Sequence, residues 1–369
     1  MNTAELITNI FSKLCGELNH NELNQNFEYL GIESIDLVTA RVQIENRLNK
    51  RIPDNEWLEF TSIEDIIKFL LKDTSDQEVS VTKKEITDLE KEYTINMPQM
   101  AIEALSESWL FKESGDNHWE MLCKGLETNS YDLRDSLDNR LYATFVRIRL
   151  YIPNALSSFT ENLHVKMTGN ISRFGESMYF SKIQLGADDA FVEADLMTTF
   201  SIRNDSDNKR LTKSQPKPGN NKIEENDELP LFGNEYRLIK KKQLTNLEHQ
   251  GYKFYITDDF VFETSYELSP YHDLNGVGLL YFAAYPIIND ICEARFFNDK
   301  KDFRWELEYF TAFKDVLYYG NCNLDDSIVY KLNYFEELDN KTIKNVSSLY
   351  RKSDNNLMAR IFTIKKRRT

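Results

Sequence analysis

The sequence predicts an α+β chain: a four-helix module of about 75 residues, then two tandem copies of one unit, each a long helix wrapped by antiparallel strands. Three observations carry this expectation. Apolar residues in the first part fall at helical spacing. The later part shows two helical runs accompanied by alternating segments rich in β-branched and aromatic residues, and related phrases recur in the same order about 160 to 170 residues apart. The implied boundaries are 1–75 for the helical module, 76–91 for a polar linker, 92–203 for the first copy, 204–250 for a polar connector and 251–369 for the second copy.

In the helical module, Leu6, Ile7, Ile10, Phe11, Leu14 and Leu18 place an amphipathic helix over residues 4–18. An Asn-rich stretch follows, and Ile35, Leu37, Val38, Val42, Ile44 and Leu48 continue as a second helix that Pro53 stops. After a short turn around Trp57, Thr61 or Ser62 caps a last helix containing Ile66, Ile67, Phe69 and Leu70.

The first copy reads as a helix over 105–122 and strands over 141–151, 163–168, 178–185 and 196–202. The second reads as a strand over 260–268, a helix over 277–297, then strands over 306–313, 316–319, 327–335, 343–350 and 357–364. Setting Pro98 against Pro270 brings Trp109 opposite Tyr281 and Asn117 opposite Asn289, and the phrase from Leu196 to Arg203 parallels that from Leu357 to Lys365 with one inserted residue. A central helix wrapped by an antiparallel sheet is the hotdog arrangement, and two in tandem make a double hotdog. A long connector suits such a pseudo-dimer, whose chain must cross from one unit to the other.

Net charge is −15, which excludes a nucleic-acid surface built on clustered cations. Residues 1–76 hold seven Lys or Arg against fourteen Asp or Glu, so nearly half of the excess sits in a fifth of the chain. The four cysteines form no C-x-x-C pair, which points to reduced thiols rather than a disulfide framework or a zinc site. No run of about 18 apolar residues is present for a membrane span, and the opening MNTAELITNIF lacks a signal-peptide pattern; a soluble cytoplasmic protein is expected.

The phrase Leu30-Gly31-Ile32-Glu33-Ser34-Ile35-Asp36-Leu37 stands at the start of the second helix. With the helix order around it and Arg51-Ile52-Pro53 behind it, the module resembles the acyl carrier protein family, Glu33 and Ile35 replacing the commoner Asp and Leu. The resemblance implies 4'-phosphopantetheine on Ser34 and a phosphopantetheinyl transferase as partner. A helix start offers that phosphodiester backbone N–H donors and the positive dipole end. The plainer alternative is that Ser34 is only a helix cap.

Further phrases are Met97-Pro98-Gln99-Met100, the run from Ala104 to Trp119, Arg140-Leu141-Tyr142-Ala143-Thr144-Phe145, Arg173-Phe174-Gly175 and Asp273-Leu274-Asn275-Gly276-Val277-Gly278 with the apolar run after it. Together these resemble the bifunctional acyltransferase/decarboxylase family of leinamycin biosynthesis, double-hotdog enzymes of polyketide pathways, over residues 93–365. The resemblance implies loading of methylmalonyl from coenzyme A, loss of carbon dioxide and delivery of propionyl to a carrier protein, with polyketide synthase or other carrier-dependent enzymes as partners. Delivery to Ser34 in cis follows from the fusion. Homodimerisation is left open.

Decarboxylation leaves charge on the thioester oxygen, so donors must face it in a dry pocket, and no metal is needed. Asn275 and Gly276, read as lying where the second long helix begins, are assigned to that oxyanion site; the alternative is that the glycines only allow close packing. The family's catalytic tyrosine is placed on Tyr142, with Tyr131 and Tyr271 as substitutes and strand packing as the plain alternative. His118 on the first long helix is a candidate for guiding the substrate carboxylate or moving a proton. Asn170, Ser181 and His272 are secondary candidates for substrate binding, and the terminal Lys365, Lys366, Arg367 and Arg368 for docking the acidic module.

Two rivals stand beside this reading. A hotdog thioesterase or dehydratase needs a general base on the central helix, and the helix after Asn275 offers no acid until Asp290. A noncatalytic acyl-carrier scaffold would load Ser34 and turn over no thioester.

Overall fold

The computed structural model describes residues 3–72, 88–102, 104–187, 190–203, 207–217, 219, 221–300 and 304–368. Four helices form the amino-terminal module: α1 (Thr3–Cys15), α2 (Ser34–Leu48), α3 (Asp54–Glu59) and α4 (Ile63–Lys72). Ile7, Ile10 and Phe11 of α1 close on Ala40 and Ile44 of α2 and on Ile63 and Ile66 of α4, giving the module a core of its own. Helix α2 opens where Asp36 Oδ2 accepts from Glu33 N at 2.8 Å. It ends at Asn49, in the left-handed conformation with φ 48°.

Beyond the linker, most of which lies outside the described residues, β1 (Leu89–Thr94) and α5 (Glu107–Gly125) precede β2 (Tyr142–Tyr151), β3 (His164–Phe174), β4 (Met178–Ala187) and β5 (Ala190–Arg203). Ser106 caps α5, its Oγ accepting from Trp109 N at 3.3 Å. The connector holds β6 (Leu211–Ser214), which pairs with β5, and α6 (Leu231–Lys240). Then come β7 (Phe262–Glu267), α7 (Ala284–Lys300), β8 (Tyr309–Tyr318), β9 (Ser327–Glu337), β10 (Thr342–Arg351) and β11 (Asn356–Arg367).

One large sheet runs β1-β3-β4-β5-β2-β8-β11-β10-β9-β7. The neighbours on this path are antiparallel. The two halves therefore share one element order and meet where β2 pairs with β8, Leu317 facing Arg147 and Phe313 facing Tyr151. Helix α5 packs on β3, β4 and β5, and α7 on β7, β9, β10 and β11. Their shared apolar core includes Phe111, Leu122, Ile148, Leu196, Ile288, Phe297 and Ile361. A second cluster covers the other face of the sheet, where Tyr236 and Ile239 of α6 meet Phe174, Met178 and Phe313, joined by Ile35 and Val42 of α2. The helical module is thus seated on the body through α2.

Several expectations need correction. The second long helix begins at Ala284, not at residue 277. The stretch before it is a closed loop, in which Leu274 bridges Leu280 and Tyr281 N donates to Asp273 O at 2.7 Å. The segments at 306–313 and 316–319 resolve into a short helix, Trp305–Glu308, and the single strand β8. The connector is not merely polar loop, since α6 and β6 lie within it.

Candidate functional site

Ser34 is the first residue of α2, half-buried at the seam between module and body. From the body, Lys213 on β6 donates from Nζ to Ser34 Oγ. Lys240 of α6 pairs with Glu33 at 2.6 Å, and Arg237 and Lys241 pair with the buried Asp36 at 2.6 and 2.5 Å. Arg51 bridges Glu45 of α2 to Glu225 of the connector, at 2.7 and 2.8 Å. The acidic helix face expected to dock does so, but on α6. The terminal cations lie elsewhere: Lys365 is buried against Asp290 at 3.2 Å and Arg367 pairs with Glu308 at 3.1 Å.

A cavity of about 860 Å³ takes its lining from both parts of the chain. Glu33, Ser34 and Leu37 contribute from the module, Tyr142 and Thr144 from β2, and Asn275 from the loop before α7. Helix α5 presents Gly115, Asp116 and Trp119, a spacing that puts all three on one face. Gly115 makes room there: a Cβ would lie 2.2 Å from Cζ of Phe282, whose ring is tilted against that of Phe145 with centroids 4.1 Å apart, so any side chain would force Phe282 to move.

Asn275 is oriented by its own loop. Its Oδ1 accepts from Val277 N at 3.1 Å and from Leu279 N at 3.0 Å. Backbone N–H groups can only donate, so the carbonyl end of the amide faces the loop and the Nδ2 end is left for the cavity. Those bonds also occupy amides that the sequence reading offered to substrate, and Gly276 is exposed without lining the cavity. What lines the cavity at this position is a side chain rather than a helix start.

Tyr142 lines the same cavity, and Arg140 lies over its ring at 5.1 Å. Neither substitute lines the cavity: Tyr131 and Tyr271 are 64% and 91% exposed, although the same Arg140 also lies over the Tyr131 ring at 5.0 Å. His118 is buried in the core, with Nδ1 at 2.7 Å from Ser181 Oγ and Nε2 at 2.7 Å from Thr198 Oγ1. Burial lowers its pKa to about 3, so the ring is neutral and held on both sides. His118 and Ser181 are therefore a core pair away from the cavity. Asn170 is exposed on β3 opposite Lys182, and His272 is exposed beside a buried Asp273 that accepts from Ser269 N at 2.7 Å.

Sequence reasoning missed Lys213, Lys240, Arg237 and Asp116. The first three sit in a segment read only by its polarity. Asp116 lay inside a quoted phrase, and its helical spacing to Trp119 was the available signal. Tyr281 lies close to it, its pKa raised by burial, then by the charges of Asp116 and Glu113.

Residues 5–70 match the family model for the phosphopantetheine attachment site. The amino-terminal module is an acyl carrier domain. Such a domain interacts with a phosphopantetheinyl transferase and with carrier-dependent enzymes. The residues around Ser34 fit a phosphopantetheine group: a cation touches the Ser34 hydroxyl, and a cavity begins beside it. No curated protein matches the chain in sequence. Among solved structures, a protein assigned as an oleoyl thioesterase from Lactobacillus plantarum is similar over 77% of this chain and 98% of its own, with 9% identity and a TM-score of 0.52. The 12:0-ACP thioesterase from Umbellularia californica is similar over 76% of this chain and 95% of its own, with 10% identity and a TM-score of 0.50. At such identities the likeness concerns the fold, a large antiparallel sheet of hotdog-thioesterase type behind the carrier domain.

Proposed function

We propose that the body is a double hotdog acting on acyl thioesters, which takes a methylmalonyl or malonyl group from coenzyme A, removes carbon dioxide, lets a solvent proton replace it at the α carbon and delivers propionyl or acetyl to the thiol of the arm on Ser34 with release of coenzyme A. The supporting observation is that Ser34, Tyr142 and Asn275 line one cavity. When bound, phosphopantetheine supplies the thiol that receives the acyl group. The chain's own residues do the rest. Asn275, pinned by Val277 and Leu279, aims Nδ2 at the thioester oxygen on which charge develops, and the Tyr142 hydroxyl donates beside it. Phe145, Phe282 and Trp119 keep that oxygen from bulk water, where the same bonds would count for less.

Hydrolysis is the second reading, and Asp116 favours it. A carboxylate on α5 lining the cavity is the base that attack by water requires. Intact mass of the phosphopantetheinylated protein after incubation with methylmalonyl-coenzyme A separates the two. A propionyl increment on Ser34 is expected. Free acid with an unloaded arm, abolished by Asp116→Asn, would replace the transferase by a thioesterase. Tyr142→Phe and Asn275→Ala should each slow propionyl formation by about 10²- to 10³-fold, the usual cost of one lost oxyanion donor; unchanged rates would remove both residues from the mechanism.

A further inference from the structure

At the seam between carrier and body, cations and anions are matched with one exception. Asp36 has Arg237 and Lys241, Glu33 has Lys240, and Glu225 has Arg51. Lys213 donates to the Ser34 hydroxyl, which carries no charge, and makes no ion pair among the described residues, although the Glu33 carboxylate held by Lys240 lies near enough to favour its ammonium. Its side chain is solvent-accessible at the seam, and the partial loss of hydration there, then the neighbouring Lys240, lower its pKa to about 8. An unneutralised cation held against the modification hydroxyl, at the positive end of α2, lacks an anion joined to that same oxygen.

We propose that Lys213, backed by Lys240, is the binding site for the phosphodiester that joins the arm to Ser34, so that attachment of the arm tightens the seat of the carrier on its own body. This rests on the reading of Ser34 as the arm-bearing residue. A phosphodiester supplies one full negative charge at the oxygen Lys213 already contacts, and converts a neutral hydrogen bond into a charge-assisted one. The unmodified carrier, held by Ile35 and Val42 and by the ion pairs of Glu33, Asp36 and Arg51, leaves that cation without an ion pair.

The test is phosphorus NMR on the intact phosphopantetheinylated protein, whose attachment is checked by mass. In the natural sequence the phosphodiester line is expected to be broad, as for a group fixed to the whole chain, and its position should titrate with a midpoint above 8, because an anion raises the Lys213 pKa. Lys213→Met should narrow the line severalfold and abolish the titration, while Lys213→Arg keeps the line broad. The double change Arg237→Ala with Lys241→Ala, which frees the carrier, sets the width of an unheld arm. A Lys213→Met line as broad as that of the natural chain overturns the proposal. So does a natural line as narrow as that of the freed carrier. A chain that never gains the phosphopantetheine mass overturns the reading beneath it as well, which keeps the two failures apart.

Discussion

His118 is a residue type that invites a catalytic reading, and its surroundings give it a different task. Ser181 and Thr198 occupy both ring nitrogens, and burial holds the imidazole neutral with a pKa of about 3, against 6.5 when unfolded. The unfolded chain therefore takes up a proton that the folded chain refuses. The stability contribution is complete above pH 6.5 and falls by about 1.4 kcal/mol per pH unit as acidity rises toward pH 3. Urea unfolding between pH 6.5 and 4 should show that extra slope in the natural chain and lose it in His118→Gln; equal slopes would mean the ring is exposed. Residue surroundings were legible where a local phrase carried them, as at Ser34, whose place at a helix start can be read from its neighbours. They were illegible where burial decides, since nothing adjacent to His118 in sequence reveals Thr198 on β5 behind it.

Helix α2 has two duties, one to its own module and one to the body. Ile44 faces the module core, whereas Ile35 and Val42 enter the cluster under α6, and Asp36 is fully buried between α2 and α6. Gly175 allows this approach. It has φ +61°, and a Cβ there would lie 2.7 Å from Cγ1 of Val38. Gly175→Ala should strain the turn and push α2 outward, raising hydrogen exchange in α2 while exchange in α5 stays unchanged; protected α2 amides would show that the seat does not depend on this contact. The sequence showed α2 clearly and misplaced its partner. In α6, Phe232, Tyr236 and Ile239 stand at helical spacing, but Pro, Asn and Glu around them gave the segment the look of a linker. The start of α7 was misread for the opposite reason. Leu279 to Ala284 continue an apolar run, while the turn held by Asn275 keeps the first part of it in a closed loop.

The chain as a whole is built around the β2–β8 seam, with the same element order on each side. The halves are not equal in content. The α5 side opens into the cavity that reaches Ser34, with the loop before α7 and Tyr285 closing it, whereas farther along α7, at Asp290, the space is filled by charge. Lys314 on β8 pairs with Asp290 at 2.6 Å and with Glu107 at the start of α5, and Lys365 adds a contact to Asp290 at 3.2 Å. Burial opposes ionisation of Asp290, but the two lysines hold its carboxyl well below the ordinary range. Lys314→Met leaves the half-buried Glu107 and Asp290 short of a partner and should cost about 1–3 kcal/mol in chemical denaturation; a loss well under about 1 kcal/mol would place the cluster in water. The repeat of phrases along the sequence disclosed the two-part plan, because apolar periodicity survives in each copy. It could not disclose which side is hollow, since that depends on pairs such as Gly115 and Phe282 that only the fold brings together. What remains to be tested is reach, from Ser34 to the residues that face it across the cavity. A bromoacetyl pantetheine arm loaded on Ser34 of a Tyr142→Cys chain should alkylate Cys at that position within the same molecule, read as a Ser34–142 linked peptide pair absent from the natural sequence. Linkage only between molecules, or none at that position, would contradict a carrier that serves its own body.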